Sequence, residues 1–394
     1  MKAGAGGWDA LRDGPWSPAG PIPEDLLLNH ASSAVLGERI IALIDSAQSR
    51  ETLRLITPIL DDDRVLDAIV KARGRGARVK LITEARRRRH GEYVIRAADY
   101  GFTGEEQRQA NLHHHRALGR LCAENVDVRG FHFCPHAKLA LIDQREAIIS
   151  SANLTANSLG WGQPVVEAGL LLRDTDLLSA LHQSTTALWQ QAPLAFHIMA
   201  DEEQTGYSIQ SRPSRIAEVV PAIETTNGSI LWNVPGVASS LAVRIAREIG
   251  DARKGVVLCA YTLYELDRGV QKIEAAILGA LRRGVEVIAL VRSNNDSIVS
   301  QGWPDPSTRR LVGAGMQLLG IIGLHAKGFL VDDNVCGIFS ANFNRFSLSH
   351  ESSAPLEVPD LEVGMIGFAD NIPLRPLAGW LHTLPSSATH RWVA

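Results

Sequence analysis

Cysteine is scarce in this chain of 394 residues, and long hydrophobic runs are missing. The 4 cysteines form no C-x-x-C pair and no dense framework, which excludes a disulfide-stapled secreted fold and indicates a reduced, intracellular protein. No apolar stretch approaches the length needed to cross a bilayer, and the first residues lack the apolar core of a signal peptide. The sequence therefore predicts a cytoplasmic protein without stable insertion into a membrane.

An excess of charge of either sign is also missing. The chain has 40 basic and 43 acidic side chains and a formal net charge of −3, so any contact with a polyanion must come from a local patch. Because 45% of the residues are hydrophobic, the chain can bury a large core, and its length suggests roughly two to three domains.

One short pattern, H-x-K-x4-D, occurs twice. In both copies a serine and an asparagine follow the aspartate, at the eighth and tenth positions after it. The residues are His136, Lys138, Asp143, Ser151 and Asn153 in the first copy, and His325, Lys327, Asp332, Ser340 and Asn342 in the second. Lysine occurs only 7 times in the chain, and two of these lysines lie inside the pattern, so a purely structural origin is a poor explanation.

This duplicated pattern resembles the phospholipase D superfamily of phosphodiesterases. The resemblance implies metal-independent cleavage through a phosphohistidine, with His136 as the nucleophile and His325 as the acid, although the sequence itself is symmetric between the two. It leaves the substrate open, because the superfamily includes phospholipases, lipid synthases and nucleases. The chain departs from the family at Ser150 and Phe339, where glycine usually precedes the serine; a positive φ there would strain both residues.

The chemistry of a phosphodiester explains why such residues are needed. The site must supply a nucleophile, neutralise the developing charge and protonate the leaving oxygen, and two H-x-K motifs supply all three without a metal or cofactor. Residues i and i+2 of an extended segment share one face, so each histidine lies beside its lysine. The residues expected to hold or support the phosphate oxygens are Lys138, Lys327, Asn153, Asn342, Ser151 and Ser340.

Carboxylates are expected to orient the two histidines. A second repeat, Glu167-Ala-Gly and Glu362-Val-Gly, follows each serine and asparagine pair and offers one acceptor for each imidazole. The alternative is that both are surface acids at strand starts. Asp143 and Asp332 lie on the face opposite to the lysines by strand parity, so we expect them to bind backbone or close a turn.

The order of apolar segments also repeats, with helices alternating with strands. This predicts an α/β protein made of two tandem phospholipase D-like α/β domains, each with a mainly parallel or mixed central sheet, related by a pseudo-twofold axis. The expected boundaries are an irregular Gly- and Pro-rich arm over residues 1–25, a first domain over 26–205 and a second over 206–394.

Two features bear on the substrate. Four consecutive arginines, Arg86, Arg87, Arg88 and Arg89, follow a predicted strand and suit repeated phosphates, although a solvated helix face is the alternative. Trp161 and Trp303 lie in predicted loops and suit base stacking, although tryptophans of this kind often only pack a loop. The histidines and cysteines around 113–134 match no common zinc spacing, so no metal site is predicted.

Three classes of function remain after these observations. The leading hypothesis is a metal-independent phosphodiesterase that acts as a nuclease on DNA, because of the arginine run and the absent membrane signals. The alternative is a phospholipase D or phosphatidyl transferase acting on phospholipid head groups. A binding module without turnover is disfavoured because both motifs are intact. The sequence indicates neither an oligomeric state nor a protein partner.

Overall fold

The structure is a computed structural model of the chain. It describes residues 7–12, 16–18, 21–30, 33–84, 104–162, 165–198, 207–213, 219–268, 271–293, 304–349 and 358–393. The predicted arginine run, Arg86 to Arg89, and Trp303 lie outside these residues.

Eight α-helices lie in the described parts of the chain. They are α1 (Val35–Asp45), α2 (Asp63–Gly74), α3 (Gly104–Ala123), α4 (Thr175–Gln191), α5 (Ser240–Asp251), α6 (Ile273–Arg282), α7 (Pro306–Gly313) and α8 (Arg375–Thr383). Local sequence explains several of their ends. The Asp62 side chain accepts hydrogen bonds from the first amides of α2, and Asp305 does the same for α7. Gly76 and Gly284, both with positive φ, follow α2 and α6 and end them.

The strands are numbered in chain order through both halves. Those of the first half and the segment before it are β1 (Gly7–Ala10), β2 (Leu26–His30), β3 (Ser33–Ala34), β4 (Thr52–Ile56), β5 (Arg78–Glu84), β6 (Asp127–Phe131), β7 (Leu139–Ile142), β8 (Glu146–Ser150), β9 (Glu167–Leu172), β10 (Leu194–Ile198) and β11 (Tyr207–Ser211). Those of the second half are β12 (Ala222–Thr225), β13 (Gly228–Val234), β14 (Ala238–Ser239), β15 (Gly255–Cys259), β16 (Leu263–Tyr264), β17 (Glu286–Arg292), β18 (Gln317–Ile321), β19 (Gly328–Val331), β20 (Val335–Phe339), β21 (Phe343–Asn344), β22 (Glu362–Phe368) and β23 (His390–Val393).

Two large mixed sheets repeat one strand order. The first sheet runs β11-β10-β6-β5-β4-β7-β8-β9-β2-β3, and the second runs β1-β23-β18-β17-β15-β19-β20-β22-β13-β12. In each sheet three adjacent strands are parallel, and the hairpin that carries the aspartate of the motif lies antiparallel beside them. The predicted fold class, two phospholipase D-like α/β halves with mixed sheets, is confirmed.

The main core lies between the two halves. One face of each sheet contributes apolar residues to it, including Leu28 and Ile149 from the first half and Ile338 and Met365 from the second. Each fully buried leucine or isoleucine of this kind contributes about 1.5–3 kcal/mol to folding. Helices α1, α2 and α3 cover the other face of the first sheet, and α5, α6 and α7 cover that of the second. This packing joins the two halves along the edge where both motifs lie.

Three details differ from the sequence prediction. Parallel pairing is confined to two strand pairs in each sheet, because the strands after each motif return through tight hairpins. The arm is not irregular throughout, since Gly7–Ala10 pairs with His390–Val393 at the edge of the second sheet. Strand Tyr207–Ser211 belongs to the first sheet, so the change from one half to the other comes after Ser211 rather than at 206.

The four cysteines are all buried and unbonded to one another. Burial raises the pKa of the Cys122 thiol to about 11 and that of Cys336 to about 12. Among the described helices, none combines the length and apolar character that a bilayer crossing requires.

Candidate active site

Each histidine of the motif lies in the loop that follows the third parallel strand of its half. His136 follows β6 and His325 follows β18, and each lysine stands at the start of the next hairpin. Both ammonium groups fold back on their own motif: Lys138 Nζ donates to the His136 carbonyl at 2.6 Å, and Lys327 Nζ donates to the His325 carbonyl at 2.6 Å. Both lysine side chains are buried, at 1% relative exposure. Buried cations at a motif this polar mark an anion site.

Backbone hydrogen bonds between the halves bring the two loops together. The Leu361 amide donates to the Cys134 carbonyl at 2.9 Å, and at the related position the Val166 amide donates to the Gly323 carbonyl at 2.8 Å. The His325 amide donates in turn to the Val166 carbonyl at 2.8 Å. Each motif loop is therefore fixed by the strand that starts with the glutamate of the other half.

Each glutamate contacts the histidine of the other half. His136 Nδ1 lies 2.7 Å from Glu362 Oε1, and His325 Nδ1 lies 2.6 Å from Glu167 Oε1. Both carboxylates are fully buried, which excludes the alternative of surface acids. A carboxylate at Nδ1 leaves Nε2 as the atom that faces a substrate, and it holds the ring in one orientation.

The motif serines bond to the glutamates. Ser151 Oγ donates a short hydrogen bond to Glu167 Oε2, and Ser340 Oγ donates one to Glu362 Oε2. Each hydroxyl also accepts a backbone amide at 3.0 Å, from Ala168 or Val363. The expected support of the phosphate by Ser151 and Ser340 stays a prediction. Their hydroxyls bond to the carboxylates, which contact the histidines in turn.

Each of the two asparagines has one side-chain atom without a hydrogen-bond partner among the described residues. Asn153 and Asn342 are buried, and the side-chain oxygen of each has no hydrogen-bond partner among the described residues. The oxygen and nitrogen of an amide are told apart only by their surroundings. What the two asparagines share is a buried amide group with an unbonded polar atom, one in each half of the protein. Ser150 and Phe339, which precede the serines, end regular strands, and neither has positive φ.

The motif aspartates bind backbone, as predicted. Asp143 accepts the Thr52 amide at 2.9 Å, and Asp332 accepts the amides of Lys254 at 2.6 Å and Gly255 at 3.0 Å. Both aspartates have positive φ and turn the chain into the following strand. These amides hold the pKa of Asp332 below its usual value, against the effect of burial.

Burial dominates the electrostatics of the histidines and lysines. It lowers the pKa of His136 well below its usual value, and Lys138 adds to this effect. It also lowers the pKa of His325 to about 4 and that of Lys327 to about 7. An imidazole held neutral at physiological pH has a free lone pair, which is the form a nucleophile requires.

The two glutamates differ. Burial raises the pKa of Glu362 to about 7, although Lys138 opposes it. Burial also acts on Glu167, but the charge and hydrogen bond of His325, with help from Lys327, outweigh it and lower the pKa below its usual value. The two histidine–glutamate pairs are therefore alike in geometry, while the pKa values of the two glutamates shift in opposite directions, which the symmetric motif does not predict.

Sequence reasoning missed several neighbours of the site. The Tyr261 ring packs edge-on against His325 with centroids 5.0 Å apart, and the Arg292 guanidinium lies over Tyr261 at 5.9 Å. Buried Asp360 raises the pKa of His136, against the larger effect of burial. Tyr261 and Arg292 stand at the carboxyl ends of parallel strands, where open sheets collect ligands, and that position was the available signal.

Trp161 packs a loop. The Arg64 guanidinium lies 3.5 Å from the centroid of its ring, and the ring also lies against Gly37, so stacking on a base receives no support. No group of three or more possible metal ligands is found in the described part of the chain. His114 instead bonds the backbone of Leu60, and burial lowers its pKa to about 4.

The fold and the paired histidine and lysine motifs define an enzyme of the phospholipase D superfamily, which acts on phosphodiester bonds. The chain belongs to the family described as "Cardiolipin synthase, PLD-like domain", whose model matches residues 40–189 and 245–363. The comparison with curated protein sequences found no match.

Solved structures share the fold at low identity. Phosphatidylserine synthase of Haemophilus influenzae Rd KW20 is 14% identical with a TM-score of 0.62, over 93% of this chain and 87% of that one. Polyphosphate kinase of Porphyromonas gingivalis is 13% identical with a TM-score of 0.54, over 96% of this chain and 51% of that one. The phospholipase D family member Nuc of Salmonella typhimurium covers 42% of this chain with a TM-score of 0.31, too low to compare folds.

Proposed function

We propose that this protein cleaves the phosphodiester of a phospholipid head group and passes the phosphatidyl group to water or to an alcohol. The observation that carries the phosphodiester chemistry is the pair of crossed contacts, His136 to Glu362 and His325 to Glu167, which make one site from both halves. The lipid substrate is supported by membership of a family described as cardiolipin synthase. The phosphatidylserine synthase of Haemophilus influenzae, with the same fold over nearly its whole length, agrees with this substrate class.

The reaction proceeds in two displacements. His136 Nε2 attacks phosphorus, the bond to the leaving oxygen breaks, and His325 Nε2 gives that oxygen its proton. His325, now neutral, takes a proton from water or an alcohol, whose oxygen attacks phosphorus and releases His136. Each histidine returns to its starting protonation state. Which histidine attacks follows from the family resemblance, since each is paired with a glutamate in the same way.

Charge on the phosphoryl oxygens is held by the buried cations. The ammonium groups of Lys138 and Lys327 donate to the histidine carbonyls of their own motif loops. Asn153 and Asn342, which follow each motif, carry buried polar atoms without a hydrogen-bond partner among the described residues. In a site this poor in water, such contacts strengthen as negative charge builds on phosphorus. The negative charge of a bound diester also offsets the lysines and raises the pKa of His325, which favours its role as proton donor.

The expectation of a DNA nuclease has less support. It rested on the absent membrane signals and on Arg86 to Arg89, which lie outside the described residues. Of the two tryptophans that were a weaker signal, Trp303 also lies outside them, and the ring of Trp161 is covered by Arg64. A lipid substrate requires none of these residues. Cytoplasmic location stays a prediction.

The test compares substrates directly. The protein is incubated with vesicles of phosphatidylglycerol or phosphatidylcholine and, separately, with labelled single- and double-stranded DNA, and the products are separated. We expect free head group or exchanged phospholipid and intact DNA. The His136→Ala variant controls for contaminating lipases and nucleases. DNA cleavage by the parent with no change in either lipid would overturn the proposal.

A variant without the arginine run separates the two substrates further. Replacing Arg86 to Arg89 by glutamine should leave lipid turnover within a few-fold of the parent. If these arginines instead tracked a phosphate backbone, the variant would lose DNA binding. Its salt dependence would also flatten, by up to about 0.9 log units per log salt for each phosphate that the protein no longer neutralises.

A further inference from the structure

An apolar cavity in the described part of the chain lies where the N-terminal arm, the first half and helix α8 meet. Its volume is about 600 Å³, within the range of about 300–1,000 Å³ typical of sites for small ligands. The apolar wall is formed by Trp16, Ile22, Leu26, Leu28, Trp380 and Leu384. None of these residues belongs to the phosphodiester site.

Two buried tryptophans pack against each other on the wall of this cavity. Trp16 and Trp380 are 3% and 7% exposed, and their rings meet edge to face with centroids 6.4 Å apart. The indole N–H of each is buried and has no hydrogen-bond acceptor among the described residues. Because neither nitrogen atom is accessible, the two rings present their carbon atoms to the cavity, and a hydrocarbon chain fits such a wall.

The cavity lies next to the strand that supports the active site. Leu28 is on its wall, and the next residue, Asn29, pairs in the ladder with Glu167, which binds His325. Successive residues of a strand are about 3.4 Å apart, and paired strands are about 4.8 Å apart. The His30 ring, one residue further, packs edge-on against Trp16 with centroids 5.9 Å apart. The wall of the cavity and the orienting carboxylate are therefore parts of one local structure.

We propose that this cavity binds one acyl chain of the phospholipid substrate. This inference rests on the proposed function, because it takes the lipid cleaved at the histidines as the ligand. The cavity selects for chain length, and it holds the lipid while the phosphodiester reacts.

Gly379 allows the cavity to be filled without disturbing its walls. It lines the cavity from within α8, and a Cβ atom added to it meets no atom within 4 Å. Gly379→Leu therefore places a side chain in the space of the ligand, in a helix that tolerates leucine better than glycine. Gly250→Leu is the matched control, since Gly250 lies in α5, does not line the cavity and has equal room for a Cβ.

The experiment measures KM for short-chain phosphatidylglycerols that differ by one CH2 per chain, used as monomers. If one chain enters the cavity, KM of the parent and of Gly250→Leu should fall about four-fold per added CH2. In Gly379→Leu this dependence should flatten, while hydrolysis of bis-(p-nitrophenyl) phosphate stays unchanged because that diester has no acyl chain. Unchanged hydrolysis also shows that the variant is folded.

A second measurement does not require turnover. Phosphatidylglycerol brominated on one acyl chain should quench the fluorescence of the parent, and the Trp16→Phe/Trp380→Phe variant should lose that quenching. The acyl site alone is overturned by the following result. The parent cleaves phospholipid, its two tryptophans show no quenching, and Gly379→Leu keeps the parental dependence of KM on chain length. A parent that cleaves no phospholipid of any chain length contradicts the proposed function instead.

Discussion

His136 Nδ1 lies 2.7 Å from Oε1 of Glu362, a residue that stands 226 positions later in the chain and belongs to the other half. The related contact, from His325 to Glu167, runs in the opposite direction at 2.6 Å. Each half thus supplies a reactive imidazole and the carboxylate for its counterpart. Four of our five predictions concern this site, and the fifth concerns the aspartate that closes each motif.

The crossed contacts predict opposite effects of the two glutamates on the intermediate. Replacing Glu362 by glutamine should slow formation of the phosphohistidine on His136, by about 10²- to 10⁴-fold. Replacing Glu167 by glutamine should impair His325 and slow breakdown of the intermediate. With bis-(p-nitrophenyl) phosphate, whose leaving group needs no proton, the Glu167→Gln variant should therefore accumulate phosphohistidine. Rapid-quench trapping measures it, and accumulation in Glu362→Gln instead would reverse the roles of the two histidines.

One site per chain predicts strong non-additivity. His136→Ala and His325→Ala should each lower turnover by several orders of magnitude, and the double variant should be little worse, because residues that act as a unit do not contribute separately. Steady-state kinetics with purified protein measures this. If each single variant kept about half of the parental activity, the halves would carry independent sites.

The buried side chain of Lys327 predicts that kcat/KM decreases at alkaline pH. Lys327 has a pKa of about 7, and it loses its positive charge as pH rises through that value, so kcat/KM should fall above about pH 7. An arginine keeps its proton throughout this range. In Lys327→Arg the limb should move to higher pH whatever the absolute rate. A limb unchanged in this variant would assign the titration to another group, such as Glu362.

Independence from metal ions follows from the residues present. The site provides its own nucleophile, acid and cations, so cleavage should survive millimolar EDTA. The same assay with added Mg²⁺ or Mn²⁺ should give the same rate. Full loss in EDTA, restored only by a metal ion, would contradict the two-histidine mechanism.

The motif aspartate predicts an effect on stability more than on rate. Asp332→Ala removes the acceptor of three backbone amides, those of Arg253, Lys254 and Gly255, and should lower the free energy of unfolding by about 1–3 kcal/mol. Asp333→Ala is the matched control, because Asp333 also has positive φ but lies exposed. Urea unfolding measures both. Because the pKa of Asp332 is lowered in the folded protein, the difference should shrink as pH falls below about 4.

Much of the site could be predicted from the sequence, because its residues repeat at fixed spacing. The histidines, lysines and glutamates were identified in this way, and so was the backbone role of Asp143 and Asp332. The partner of each glutamate could not be predicted, since it depends on how the halves dock and not on any spacing within one half. The bond of each serine hydroxyl to the glutamate of its own half was not predicted either, because it depends on how neighbouring strands pair.

The fold shows the same limit. Alternating helices and strands predicted two α/β halves correctly, but strand direction depends on hairpins whose turns leave a weak signal, so parallel pairing was overestimated. Edge strand β1 was missed because its pairing with β23 joins segments far apart in the chain. The expectation of DNA as the substrate drew on a run of arginines, which records local charge and not what lies beside the histidines.

The four buried cysteines can be used to measure how often the protein opens. Cys134 and Cys259 lie beside the motif loops, with Cys259 Sγ donating to the Ala326 carbonyl at 3.5 Å. A thiol reacts with alkylating reagents only as an accessible thiolate, so all four should be silent in the closed molecule. The rate at which each cysteine is alkylated, measured by mass spectrometry, would then report how often the two halves separate. No engineered probe is needed.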